Sequence, residues 1–225
     1  MKLKWALIFI IEVLGIEMAI SKIPQGFSLI NDVCPSIVIQ MDYSSDENFT
    51  GNIVRGYKAK KAYMVEVAVE ALCKVQKDAL EKGYTLKIFD AYRPKKAVTS
   101  FGEWAKLPEN RPDIKKLYYP TFTRLQLFEN GYIASQSSHS KGSAIDLTLV
   151  DTTTGKELDM GSRFDYFDVI SHTASNKINP EQKKNRMLLK DLMESYGFKN
   201  FSQEWWHYSY KPEPYPDTYF DFDVE

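Results

Sequence analysis

The sequence predicts an α+β domain with a small, mostly antiparallel sheet flanked by helices. Three observations carry that expectation. Helical and strand periodicities are mixed, without the repeated βαβ units of a parallel sheet. No internal repeat, low-complexity tract or Gly/Ser linker divides Lys22 to Glu225, so residues 22–225 read as one domain. With 225 residues, 44% of them hydrophobic, the chain has enough apolar material for a real core.

The elements follow in order. From about Ala59 to Lys82 the positions Ala62, Val65, Ala68, Val69, Leu72, Val75 and Leu80 recur at helical spacing, and Gly83 stops the run. Tyr84 to Asp90 alternates, with Leu86 and Ile88 on one face, and reads as a strand leading into Tyr92-Arg93-Pro94. Pro94 suits a helix start, so Lys95 to Ala105 reads as a second helix. Leu107 to Ser138 shows no clear period and reads as a long ordered loop packed by Tyr118, Tyr119, Phe122 and Phe128, the kind of segment that covers sites. Ser143 to Val150 is a strand with Ile145, Leu147 and Leu149 on one face and Ala144, Asp146 and Thr148 on the other. A turn follows at Asp151 to Gly155. A third helix over about Asn185 to Tyr196 ends at Gly197. Phe198 to Phe201 and Glu204 to Tyr208 are β-prone, and the Pro-rich tail from Lys211 wraps the surface.

The ends and the composition narrow the function. Met1 to Ser21 opens with Lys2 and Lys4, continues through the apolar Trp5 to Ile11 and reaches Ala19-Ile20-Ser21, a pattern suited to cleavage after export to the cell envelope. Glu12 and Glu17 interrupt it, which leaves an amphipathic N-terminal helix packed on the domain, or an uncleaved anchor, as the alternative to a cleaved signal, and the cytoplasm as the alternative location. The apolar run is too short for a membrane span. Cys34 and Cys73 are either one disulfide of an exported protein or two buried thiols. The 29 basic and 30 acidic residues give a net charge of −1, which provides no footprint for nucleic acid. A neutral or zwitterionic small substrate fits better. With three histidines and two cysteines, a Cys-rich zinc module is excluded and each histidine is informative.

The chemistry concentrates in two segments. In Ser137 to Asp146, His139 precedes a glycine turn and Asp146 sits mid-strand on the face opposite Ile145, Leu147 and Leu149. A strand carboxylate needs a partner, and a divalent cation shared with His139 would be one; zinc takes His nitrogen and Asp oxygen at ~2.0–2.2 Å. The alternative is an Asp capping a neighbouring loop beside a surface histidine. In Glu204-Trp205-Trp206-His207, His207 supplies the third ligand that a catalytic zinc wants, and Glu204 a general base. Residues i and i+3 of a strand face opposite ways, so Glu204 must lie in the turn before it. The tryptophan pair reads as core, and His172 as a loop residue.

S-x-H-x-x-G-x-A-x-D over Ser137 to Asp146, followed by E-W-W-H at Glu204 to His207, resembles the signature of the zinc D-alanyl-D-alanine dipeptidases. Asp90-Ala91-Tyr92-Arg93-Pro94 is similar to that family's arginine-bearing turn, and Gly155 to Gly161 with Phe164-Asp165 extends the likeness, which runs from about Val33 to Tyr208. The resemblance implies one zinc per chain on His139, Asp146 and His207, with Glu204 as base and acid and Arg93 stabilising the oxyanion. It also implies Asp165 for the substrate's ammonium, Ser137 for its carboxylate side, and a small D,D-dipeptide of cell-wall metabolism as substrate. Without it, Arg93 would read equally as a salt bridge bracing a turn, and Asp159, Asp165 and Asp168 as an exposed acidic loop. Two other functions compete. A D,D- or L,D-carboxypeptidase acting on peptidoglycan stem peptides would have no need of a group for a free ammonium. A non-catalytic zinc-bearing binding module would tolerate loss of Glu204 or Arg93, and both are present.

Overall fold

Leu86 and Ile88 on one strand and Ile145, Leu147 and Leu149 on its neighbour are fully buried, and their pairing founds the sheet. The computed structural model describes residues 23–225; the expected leader over Met1 to Ser21 lies outside the described residues. In chain order the elements are β1 (Phe27–Leu29), α1 (Ile30–Val33), β2 (Val38–Ile39), β3 (Tyr63–Val65), α2 (Glu66–Glu81), β4 (Tyr84–Asp90), α3 (Lys95–Ala105), α4 (Pro112–Tyr118), α5 (Arg124–Glu129), β5 (Ala144–Asp151), α6 (Pro180–Glu194), β6 (Phe198–Asn200) and β7 (His207–Tyr210). A five-stranded sheet runs β2-β4-β5-β7-β6, antiparallel except for the β2–β4 pair, and β1 pairs separately with β3. This is the α+β, mostly antiparallel architecture that the sequence predicts.

One face of the sheet is apolar because the strands alternate, and α2 and α6 cover it with Val69, Leu72, Val75, Leu189 and Met193. Each such side chain contributes about 1.5–3 kcal/mol on burial, so a cavity made by Leu147→Ala would cost about 2–5 kcal/mol. Cys34 and Cys73, with Cα atoms 5.7 Å apart, join as a disulfide that ties the end of α1 to α2. Among the described residues, no helix is long and apolar enough to cross a membrane.

Four local expectations need correction. The first long helix starts at Glu66, not near Ala59, because Tyr63–Val65 pair with β1 and are buried throughout, which helical exposure would not allow. The segment Leu107 to Ser138 contains α4 and α5: Pro112 opens the first, and a Thr123/Gln126 capping box opens the second. Both are too short to show a period. Phe128 is 40% exposed and does not pack that segment, unlike the buried Tyr118 and Tyr119. Finally, α6 begins at Pro180, where Asn179 and Gln182 form a second capping box; its first turn is polar and solvent-facing, so apolar spacing does not reveal it. By contrast β4 and α3 have the predicted bounds, and Glu204 lies in the turn before β7.

Candidate metal centre and active site

The site lies on the sheet face opposite α2 and α6. Cross-strand register sets three of its groups side by side: Asp90 of β4 pairs with Asp146 of β5, which pairs with His207 of β7. Strict alternation would aim Asp90 at the helices with Leu86 and Ile88. A register shift between Ile88 and Asp90 inserts Phe89 and turns Asp90 to the opposite face. His139 arrives from the 3₁₀ turn Ser138–Lys141, which Ser137 caps by accepting the His139 N–H at 3.2 Å. Gly142 ends that turn at φ 74°, and a Cβ there would run into the Phe27 ring.

The donor atoms converge. His139 Nε2 is 3.1 Å from His207 Nδ1 and 3.3 Å from Asp146 Oδ2, and His207 Nδ1 is 3.0 Å from Asp146 Oδ1. His139 Nδ1 lies 2.6 Å from the Ala91 carbonyl, which can only accept, so Nδ1 carries the proton and the Nε2 lone pair faces the cluster. Ligands at ~2.0–2.2 Å around one tetrahedral ion stand roughly 3.3–3.6 Å apart, close to the spacings here. The charges agree. Four carboxyl groups, of Asp90, Asp146, Asp165 and Glu204, share the space with the guanidinium of Arg93, an excess of acidic groups over basic ones. A divalent cation among two imidazoles and a carboxylate offsets that surplus, so the residues fit one.

Protonation follows from the same crowding. Burial pushes Asp146 up, but His139 and His207 outweigh it and hold the carboxyl well below its ordinary range. Glu204, its Oε2 3.9 Å from His207 Nδ1, is raised well above the usual range by burial, then by Asp146 and Asp165. Burial and then Asp146 do the same to Asp165. Burial lowers His207, which favours the neutral imidazole that a metal requires.

Arg93 is held from three sides. Its Nε donates to Asp90 Oδ2 at 2.8 Å, Nη2 reaches Asp146 Oδ2 at 3.4 Å, and the guanidinium lies 5.0 Å from the Tyr43 ring centroid and 5.4 Å from that of Phe101. Tyr57 donates to Asp90 Oδ1 at 2.6 Å, which keeps that carboxylate turned toward the arginine. A cavity of about 240 Å³ opens on the cluster, lined by Arg93, Ser137, His139, Asp146, Asp165, Glu204 and His207 and walled by Tyr43, Phe101, Tyr132 and Phe167. That is below the roughly 300–1,000 Å³ of drug-sized pockets and suits a much smaller molecule.

The structure thus brings together every residue that the sequence singles out for the site. Asp165 is not on an exposed acidic loop: it is 4% exposed, adopts φ 56°, and accepts the Tyr43 hydroxyl at 2.7 Å. Asp159 and Asp168 stand apart, fastening Gln182 and the backbone N–H of Ile170. Trp205 and Trp206 are buried core, and His172 is a loop residue. Sequence reasoning missed Tyr43 and Tyr57, which lie far along the chain and carry no motif. The sequence alone assigns Asp90 no role, and alternation along β4 would point its side chain to the other face.

The family of D-ala-D-ala dipeptidases, a metallopeptidase family, matches residues 24–225. A D-alanyl-D-alanine dipeptidase of Enterococcus faecium is 44% identical over 200 residues, 89% of this chain and 98% of that protein. Its counterpart in Enterococcus faecalis is 43% identical over 199 residues, 88% and 98% of the two chains. One from Streptomyces coelicolor is 37% identical over 198 residues, with the same shares.

Proposed function

The chain belongs to the D-ala-D-ala dipeptidase family and is a peptidase, and from that premise we propose that it hydrolyses D-alanyl-D-alanine and similar D,D-dipeptides to free D-amino acids, with one zinc ion held by His139, Asp146 and His207. The observation that carries this reading is the approach of those three donors to within 3.0–3.3 Å of one another beside Glu204 and Arg93. Two nitrogens and one oxygen are a donor set that zinc favours. When bound, zinc supplies Lewis acidity and lowers the pKa of water toward ~7.

The chain's own groups do the rest. Glu204 takes the proton of the attacking water and returns it to the leaving amine; burial and the neighbouring Asp146 raise its pKa, which makes it a stronger base than a solvated carboxylate. Arg93, which does not deprotonate, faces the oxyanion that develops on the scissile carbonyl. Asp165 receives the free ammonium, whose positive charge offsets the cost that burial sets on ionising this carboxyl. Ser137 stands on the carboxylate side, and the aromatic walls exclude water.

Metal analysis together with turnover of D-Ala-D-Ala against N-acetyl-D-Ala-D-Ala tests the reading. Zinc in the purified protein and loss of turnover on acetylation are expected. Equal turnover of both would assign the protein to the carboxypeptidases instead. Export to the cell envelope belongs to the same proposal and is supported by the Cys34–Cys73 disulfide, which is at home in an oxidising compartment. A mature envelope protein beginning at Met1 would contradict cleavage after Ser21.

A further inference from the structure

The arginine turn is gripped from a distance by the last residues of the chain. A helix leaves its first N–H groups without intrahelical partners, and at α3 the N-cap residue, Pro94, has no side-chain acceptor to offer them. The partners come from the tail instead. Lys95 N–H donates to the Phe220 carbonyl at 2.9 Å and Lys96 N–H to Asp221 Oδ1 at 2.6 Å. Asp221 also sets a negative charge on the positive end of the helix.

On the other side of Arg93, the Tyr92 ring stacks on Phe222 with centroids 3.9 Å apart and planes 6° from parallel, and the Tyr92 hydroxyl donates to the Phe222 carbonyl at 3.0 Å. Arg93 is therefore bracketed by two residues that the tail holds. The same strand of tail reaches the metal side. Phe220 N–H donates to the Ser140 carbonyl at 2.8 Å, so one residue links the turn that carries His139 to the start of α3, and the Tyr219 hydroxyl donates to Gln136 Oε1 at the cavity wall, 3.1 Å away. Farther on, Val224 bridges to Tyr57 and Asp223 pairs with Lys58 and Lys96, which anchors the strap beyond the site.

We propose that the strap Tyr219–Asp223 positions Arg93 against the metal cluster, with Asp221 as its decisive side chain. Asp221 touches no reacting atom; it acts by fixing the first turn of α3, which begins two residues after the arginine. The inference rests on the reading of Arg93 as the oxyanion group. Small displacements of such a group are costly, since misplacing it by 1 Å lowers rates by up to about 100-fold.

The test is a set of full-length, zinc-loaded proteins assayed on D-Ala-D-Ala for kcat and KM, with melting temperature and zinc content recorded. Asp221→Ala is expected to lower kcat by about tenfold with KM and zinc nearly unchanged, and Asp221→Asn, whose amide oxygen can accept the same Lys96 N–H, to restore it. In an Arg93→Lys background, Asp221→Ala is expected to add little further loss, because the group it positions has already been replaced. A cap of purely structural value would instead lower the melting temperature alone. Unchanged kcat in Asp221→Ala, no rescue by Asn, or losses that multiply in the double variant would each overturn the proposal. Turnover by the wild-type protein and its drop in Arg93→Lys report separately on the active-site reading; failure there removes both.

Discussion

Two halves of the site are built differently. Asp90, Asp146 and His207 stand in one row across β4, β5 and β7, where ladder hydrogen bonds fix their spacing, and His139 is pinned to Ala91 immediately after β4. Tyr43, Ser137, Asp165 and Glu204 come from turns and loops, and their positions depend on long-range contacts such as the Tyr43–Asp165 hydrogen bond. Holding an ion demands donor spacings good to a fraction of an ångström, which a sheet supplies. Reading the ends of a substrate demands reach around it, which only loops supply.

If that division holds, the largest effect belongs to the sheet half. Asp146→Ala should strip the metal, measured by metal analysis, and reduce hydrolysis to the uncatalysed level; a metal-loaded, active Asp146→Ala protein would refute the ligand set. Glu204→Ala should come next, lowering kcat by about 10²–10⁴-fold while the metal stays. Loss of metal in that variant would blur the two halves, because it would make a loop residue part of the holding apparatus.

A smaller effect is expected from Tyr43→Phe. It removes one hydrogen bond to a buried carboxylate and should raise KM for D-Ala-D-Ala by about 10–100-fold, in line with roughly 1.5–3 kcal/mol for a hydrogen bond to a charged group. Metal content should not change. A kcat loss at constant KM would mean that Tyr43 serves the arginine stacked on it more than Asp165.

The division also accounts for what the sequence could disclose. His139, Asp146, Glu204 and His207 lie in two short segments, where strand parity and turn position constrain each side chain locally. Leu86, Ile88 and the Pro94 start mark β4 and α3 to the residue, since burial on one face and a fixed φ leave local traces. Asp90 escapes because a bulge at Phe89 reverses parity, and a bulge has no apolar signature of its own. Tyr43 and Asp221 escape for another reason: each acts on a residue over 100 positions away, through contacts that exist only once the chain is folded. The two short helices after Leu107 are set by caps and by tertiary packing, so no period announces them.

The smallest effect concerns stability and lies in the loop half, at the residue before Tyr43. Asp42 is buried, and the loss of solvent pushes its pKa from 3.8 to about 6 against the attraction of Gln40, Arg163 and Lys87. Its folded pKa exceeds the unfolded one, so between about pH 4 and 6 the unfolded chain gives up a proton that the folded chain keeps. Stability therefore falls as pH rises through that window and stays lower above it, by an amount on the order of 1–3 kcal/mol. Asparagine retains the oxygen that accepts from Gln40 Nε2 and removes the titration. Asp42→Asn should thus raise the melting temperature more at pH 7 than at pH 4, measured by thermal denaturation at the two values. An equal shift at both would mean that the loop half bears no ionisation cost at Asp42, and that its placement of Tyr43 is as settled at neutral pH as the strand row it faces.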